Sequence, residues 1–171
     1  MIEQNSSSLN QLQEANSGRR PWEVPGFASW LSVVRVHHAC ETAMTAALEP
    51  LGLNLSQYDI LANLARQPGL AQGELAGRLL VGKSAVSMTL PDLERRGLIT
   101  RERDADDGRI RRLNLTAQGQ ELATRALATH TAILDIMMSR AEPGDTAAVE
   151  AAMGRIYQAL KAARAKPAAG R

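Results

Sequence analysis

From Gln72 to Thr116 the chain reads as two short helices and then, past a single glycine, as two β-prone segments around a polar tip, an order that few folds accommodate. Leu75 and Leu79 are spaced i, i+4 in a short helix expected over Gln72 to Leu80. Val81-Gly82 turns the chain into a second helix from Lys83 to about Arg96, where Gly97 is a left-handed cap. Two helices joined by a short glycine-containing turn describe a helix-turn-helix, although any helical hairpin has the same outline. The continuation narrows the choice. Leu98-Ile99-Thr100-Arg101 is β-prone, Asp104 to Gly108 is turn chemistry, and Ile110, Leu113 and Leu115 interleave with polar residues, so a hairpin wing follows the second helix.

Helical patterns flank this region on both sides. Phe27, Trp30, Leu31, Val34, Met44 and Leu48 recur at helical spacing up to Glu49, and Pro50 and Gly52 stop that helix. Ser56-Gln57-Tyr58-Asp59 opens another, with the Ser56 hydroxyl as the expected cap, running to about Arg66 before Pro68-Gly69. Thr116 caps a long helix from Ala117 to about Arg140. Glu142-Pro143-Gly144-Asp145 breaks it, and a last helix from about Thr146 to Ala163 carries Val149, Met153, Ile156, Tyr157 and Leu160 on one stripe. The expected fold is therefore mainly α, a winged helix-turn-helix with a two-stranded β wing between terminal helices. Its expected divisions are a disordered tail at 1–20, an N-terminal dimerisation helix at 21–54, a DNA-binding domain at 55–116, C-terminal dimerisation helices at 117–164 and a second tail at 165–171.

Composition removes several function classes. The 171 residues, 44% of them hydrophobic, suffice for a core. One cysteine cannot form an internal disulfide, and neither the first 20 residues nor any later segment has an apolar run of signal-peptide or membrane-span length. A cytoplasmic protein without membrane association is the expectation. No Walker loop, dinucleotide fingerprint, zinc-deaminase motif or nucleophile elbow is present, so neither catalysis nor a cofactor is expected. Net charge is only +2, and between Gln72 and Thr116 nine lysines and arginines face seven carboxylates, so nucleic-acid affinity depends on where charges sit.

The runs LNLSQYDILANL, PGLAQGELAGRL and VGKSAVSMTLPDLERRGLITRERDADDGRIRRLNLTAQG together resemble the MarR (multiple antibiotic resistance regulator) family. LERRGLI, the Asp107-Gly108-Arg109 tip and LNLTAQG are the most specific parts, and the resemblance extends over roughly Phe27 to Leu160. It implies a cytoplasmic transcription regulator, a homodimer held by its N- and C-terminal helices, and a small-molecule effector that weakens DNA binding. Three residues depart from the family pattern. Ala71 stands where Ser or Thr commonly caps the third helix, Met88 where a basic residue often lies, and Pro91 inside the recognition helix, where a kink or a restart is expected.

Residue chemistry assigns roles within that frame. The start of a recognition helix meets base edges, which points to Lys83, Ser84, Ala85, Ser87, Met88 and Thr89 against a pseudo-palindromic operator in double-stranded DNA. Arg95, Arg96, Arg101, Arg111 and Arg112 are placed for phosphates. Arg109, at the tip, is placed for the minor groove, with Asp107 orienting its guanidinium. For the effector, the family's pocket location brings Trp30, Val34, Arg35, His38, Tyr58 and Asp59 forward, and an aromatic acid suits Trp30 and Tyr58 for stacking and His38 or Arg35 for its carboxylate. The alternative is that Trp30 and Val34 are core residues and that Asp59 serves only first-turn electrostatics. Two further readings stay open: a redox or metal response through Cys40 or His37 and His38, and an effector-free DNA-bridging protein.

Overall fold

The structure, a computed structural model, describes residues 18–79 and 83–165. The Val81-Gly82 turn and most of both expected tails lie outside the described residues. Among the described residues six α-helices and three strands follow in order: α1 (Phe27–Leu48), α2 (Leu55–Arg66), β1 (Leu70–Ala71), α3 (Gln72–Arg78), α4 (Lys83–Arg95), β2 (Ile99–Arg103), β3 (Arg111–Leu115), α5 (Ala117–Met138) and α6 (Asp145–Ala165).

Local chemistry sets the ends. Helix α2 begins one residue after Asn54, not at the expected Ser56 cap, because Asn54 and Gln57 form a reciprocal box: the Asn54 side chain accepts the Gln57 N–H at 2.9 Å and the Gln57 side chain accepts the Asn54 N–H at 2.9 Å. Ser56 lies inside the first turn. Helix α3 has only half of such a box, since Ala71 offers no side-chain acceptor while Glu74 accepts the Ala71 N–H at 3.0 Å. Helix α4 runs through Pro91 to Arg95 as one element, so the expected restart is absent. Gly97 ends it with φ of +67°, the left-handed geometry that glycine adopts without steric cost.

The wing has three strands rather than two, in the order β1-β3-β2, all antiparallel. Leu70 pairs with Leu113 and Ala71 with Arg112, while β2 and β3 run in register from Ile99–Leu115 to Arg103–Arg111. The added strand is two residues long, and its hydrogen bonds join the segment before α3 to the wing.

One apolar core holds the elements of residues 36–137 together. Leu48, Ile60, Leu61, Leu64, Leu70, Leu75, Val86, Leu90, Leu93, Leu98 and Leu113 are fully buried, each contributing roughly 1.5–3 kcal/mol relative to exposure. All of them fall in a compact unit, Val36–Met137, that extends on both sides beyond the 55–116 segment, because Met44 and Leu48 of α1 and Ala123 and Ala126 of α5 join the same core. The second unit contributes the described residues 18–35 and 138–165. Its exposed apolar side chains include Trp22, Trp30, Ile156, Tyr157 and Leu160. No helix among the described residues is long and apolar enough to cross a membrane.

Candidate nucleic-acid interface

Helix α4 turns one side inward and the other out. Val86, Leu90 and Leu93, spaced i, i+4, i+7, are buried, which leaves Ser87, Met88, Pro91 and Arg95 exposed and Thr89 half-buried. The backbones of Lys83, Ser84 and Ala85 form its first turn; their side chains lie outside the described residues. Asp92 organises the cations at the far end. Its carboxylate accepts a hydrogen bond from the buried Gln57 side chain of α2 at 2.8 Å, pairs with Arg95, and lies 3.6 Å from Arg96. Arg101 on β2 reaches Glu94 at 3.8 Å, and its Nε is buried without a hydrogen-bond acceptor.

The wing tip is organised by Asp104, which the sequence reading had placed at the start of the turn without a partner. One carboxylate oxygen accepts the N–H groups of Asp106 and Asp107, both at 3.0 Å, and the other accepts Arg112 Nε at 2.5 Å. The Arg112 guanidinium foremost, and then the two N–H groups, hold the Asp104 carboxyl at about 2, well below the usual carboxylate range, while Asp104 raises Arg112 in turn. Arg112 also donates to the Gly69 carbonyl at 3.2 Å. That guanidinium therefore braces the wing from inside. Asp107 departs from expectation as well: its carboxylate accepts the Arg109 backbone N–H at 2.9 Å, so it shapes the turn beneath Arg109 rather than gripping the guanidinium. The Arg109 side chain stands exposed at the tip.

Between these elements lies a groove of about 620 Å³. Ala71 to Glu74 at the start of α3, Val86 and Ser87 of α4, and Arg109 to Arg112 of the wing line it. Recognition-helix and wing residues thus share one concave surface with three of the arginines, 109, 111 and 112, that the sequence reading had assigned to DNA.

The expected effector residues are divided. Trp30, Val34 and Arg35 are exposed and belong to the unit of residues 18–35 and 138–165, whereas exposed His38, buried Tyr58 and half-buried Asp59 belong to Val36–Met137. Sequence reasoning missed His130 of α5. Its Nδ1 and the Tyr58 hydroxyl are 2.5 Å apart, with the rings edge to face at 5.4 Å. Burial first, then the Asp59 charge, pushes the Tyr58 phenol up; burial also raises Asp59, opposed by His130. A separation of 72 residues leaves no local signal for this pair. Cys40 is a free thiol packed at the core's edge, and exposed His37 pairs with Glu41 at 3.5 Å.

A sequence profile described as the MarR family matches residues 51–110, from the turn before α2 to the wing tip. That segment of the chain is of the MarR family. Among its MarR-family relatives is the HTH-type transcriptional repressor Rv2887 of Mycobacterium tuberculosis, 38% identical over 92 residues, which are 54% of this chain and 66% of that protein, just under two thirds of its length. The solved S. aureus MepR–DNA complex superposes with a TM-score of 0.70 at 25% identity, covering 77% of this chain and 96% of that one. Rv2887 in complex with p-aminosalicylic acid superposes with a TM-score of 0.57 at 28% identity, covering 74% and 95%. Within the MarR-family region the profile includes α4 and the Asp104–Arg109 loop, the part of the molecule where the groove lies.

Proposed function

We propose that this protein is a homodimeric, sequence-specific DNA-binding transcription regulator of the cytoplasm, a repressor released by a small aromatic acid. The observation that carries the reading is the shared surface of α4 and wing, with Ser87, Arg109 and Arg111 lining one groove. Helix α4 supplies contacts to base edges, Arg109 enters the minor groove, and Arg95, Arg96, Arg101 and Arg111 meet phosphates. Arg112, committed to Asp104, contributes by holding the wing's shape. The DNA complex of MepR and the p-aminosalicylic acid complex of Rv2887 support the two ligand classes by similarity. Of the expected effector residues, His38, Tyr58 and Asp59 lie in Val36–Met137, where Tyr58 and Asp59 with His130 beside them supply the polar part of the effector site.

The test compares two arginines on duplexes that the purified protein selects from a random pool. Arg109→Ala is expected to weaken binding by roughly 1 to 3 kcal/mol and to flatten the preference for A·T pairs under the wing. Arg111→Ala is expected to weaken all duplexes together and to lower the slope of log K against log[salt] by about one. Failure to enrich any duplex, or equal loss of one salt unit in both variants, rejects the groove assignment. p-Aminosalicylate added to the complex tests release.

A further inference from the structure

Met88 is 81% exposed, the highest value among the large apolar side chains described. Its position on the helix explains why. It sits two residues from buried Val86 and two from buried Leu90, so it projects from the side of α4 opposite the core. Pro91, also exposed, lies three residues on and shares that face, forming an apolar ridge with Met88. Arg95 continues the same face, roughly 10 Å further along the axis from Met88. At the other end Ser87, next to Met88, lines the groove that holds Arg109 and Arg111. An apolar ridge flanked by cations fits a surface that is anionic along its edges and apolar at a few interior points. The major groove of duplex DNA has that character: phosphates border it, and the one apolar feature on its base edges is the 5-methyl group of thymine.

We infer that Met88 is a specificity-determining residue that reads the 5-methyl group of a thymine in the major groove, with Pro91 closing the ridge behind it. The inference rests on the DNA-binding reading and deepens it. A methionine suits the role, because its unbranched, polarisable thioether adapts to a methyl group whose position shifts with local duplex geometry. A contact of this kind distinguishes thymine from every unmethylated base.

The experiment uses the full chain and duplexes it enriches from a random pool, then replaces each thymine singly by deoxyuridine, which removes the methyl group and nothing else. Wild-type protein is expected to lose about fourfold in affinity at one thymine of each half-site, the value of one buried methyl-sized group. Met88→Ala is expected to bind thymine and uracil duplexes equally at that position, and Met88→Leu to retain part of the discrimination. No enrichment of any duplex rejects the DNA-binding reading itself. Enrichment with a flat uracil scan, a uracil effect that persists in Met88→Ala, or a changed oligomeric state in Met88→Ala overturns the inference while leaving DNA binding in place.

Discussion

Gly119 is where α5 meets the strand that leaves the recognition helix. A Cβ at this buried position would stand 1.9 Å from the Leu98 carbonyl oxygen and 2.8 Å from its carbon, which backbone cannot yield without moving. The same carbonyl accepts the Thr116 N–H at 3.1 Å, and the Thr116 hydroxyl bridges the Gly97 carbonyl at 2.6 Å and the Gly119 N–H at 3.0 Å. Gly119→Ala is therefore expected to destabilise the fold by about 3 kcal/mol, at the upper end for overpacking, seen as a lower urea midpoint with an unchanged slope. In the sequence this glycine was legible only as part of LNLTAQG, since close approach between segments has no local signature. Asp104 gives a second residue-scale expectation. Its folded value of about 2 lies below the ordinary carboxylate range, so its pairing stabilises the wing above roughly pH 4 and is lost as pH falls through 2. The stability difference between wild type and Asp104→Asn is expected to be flat above about pH 4.5 and to vanish towards pH 2 in denaturation series.

Helix α2 works in two directions from consecutive residues. Gln57 reaches Asp92 on the recognition helix, and Tyr58 reaches His130 on α5. A double-mutant cycle of Tyr58→Phe and His130→Ala is expected to give a coupling of about 0.5–1.5 kcal/mol, measured by chemical denaturation. Zero coupling would show that the hydroxyl and the ring do not act on each other. Helix spans were legible from apolar period and from Pro50, Pro68 and Gly97, each within a few residues of the observed end. Strand β1 was not, because Leu70-Ala71 is too short to display alternation and exists only by pairing with β3. The recognition helix was legible as an element, but its outward face depended on knowing that Val86, Leu90 and Leu93 share one core. Arg112 and Arg109 looked alike as sequence. The Asp104 carboxylate, eight residues from Arg112, separates brace from free cation.

At the scale of the whole molecule, Trp22, Trp30, Ile156, Tyr157 and Leu160 are exposed, all of them in the unit of residues 18–35 and 138–165, side chains that a second copy would cover. A dimer of twice 18.4 kDa is expected by light scattering at micromolar concentration. Exposing charge there, as in Tyr157→Glu with Leu160→Glu, is expected to shift it towards monomer. The pairing of Leu70 with Leu113 carries a mechanical consequence. Main-chain hydrogen bonds clasp the hairpin to the segment entering α3, Arg112 pins it again through the Gly69 carbonyl, and the Gly97, Thr116 and Gly119 contacts fasten the opposite end. Reading helix and wing are the two jaws of a caliper whose gap is set by backbone. On the proposed reading, a gap fixed in this way is expected to make a duplex whose adjacent grooves do not match it bend when gripped, and to free both jaws together on release.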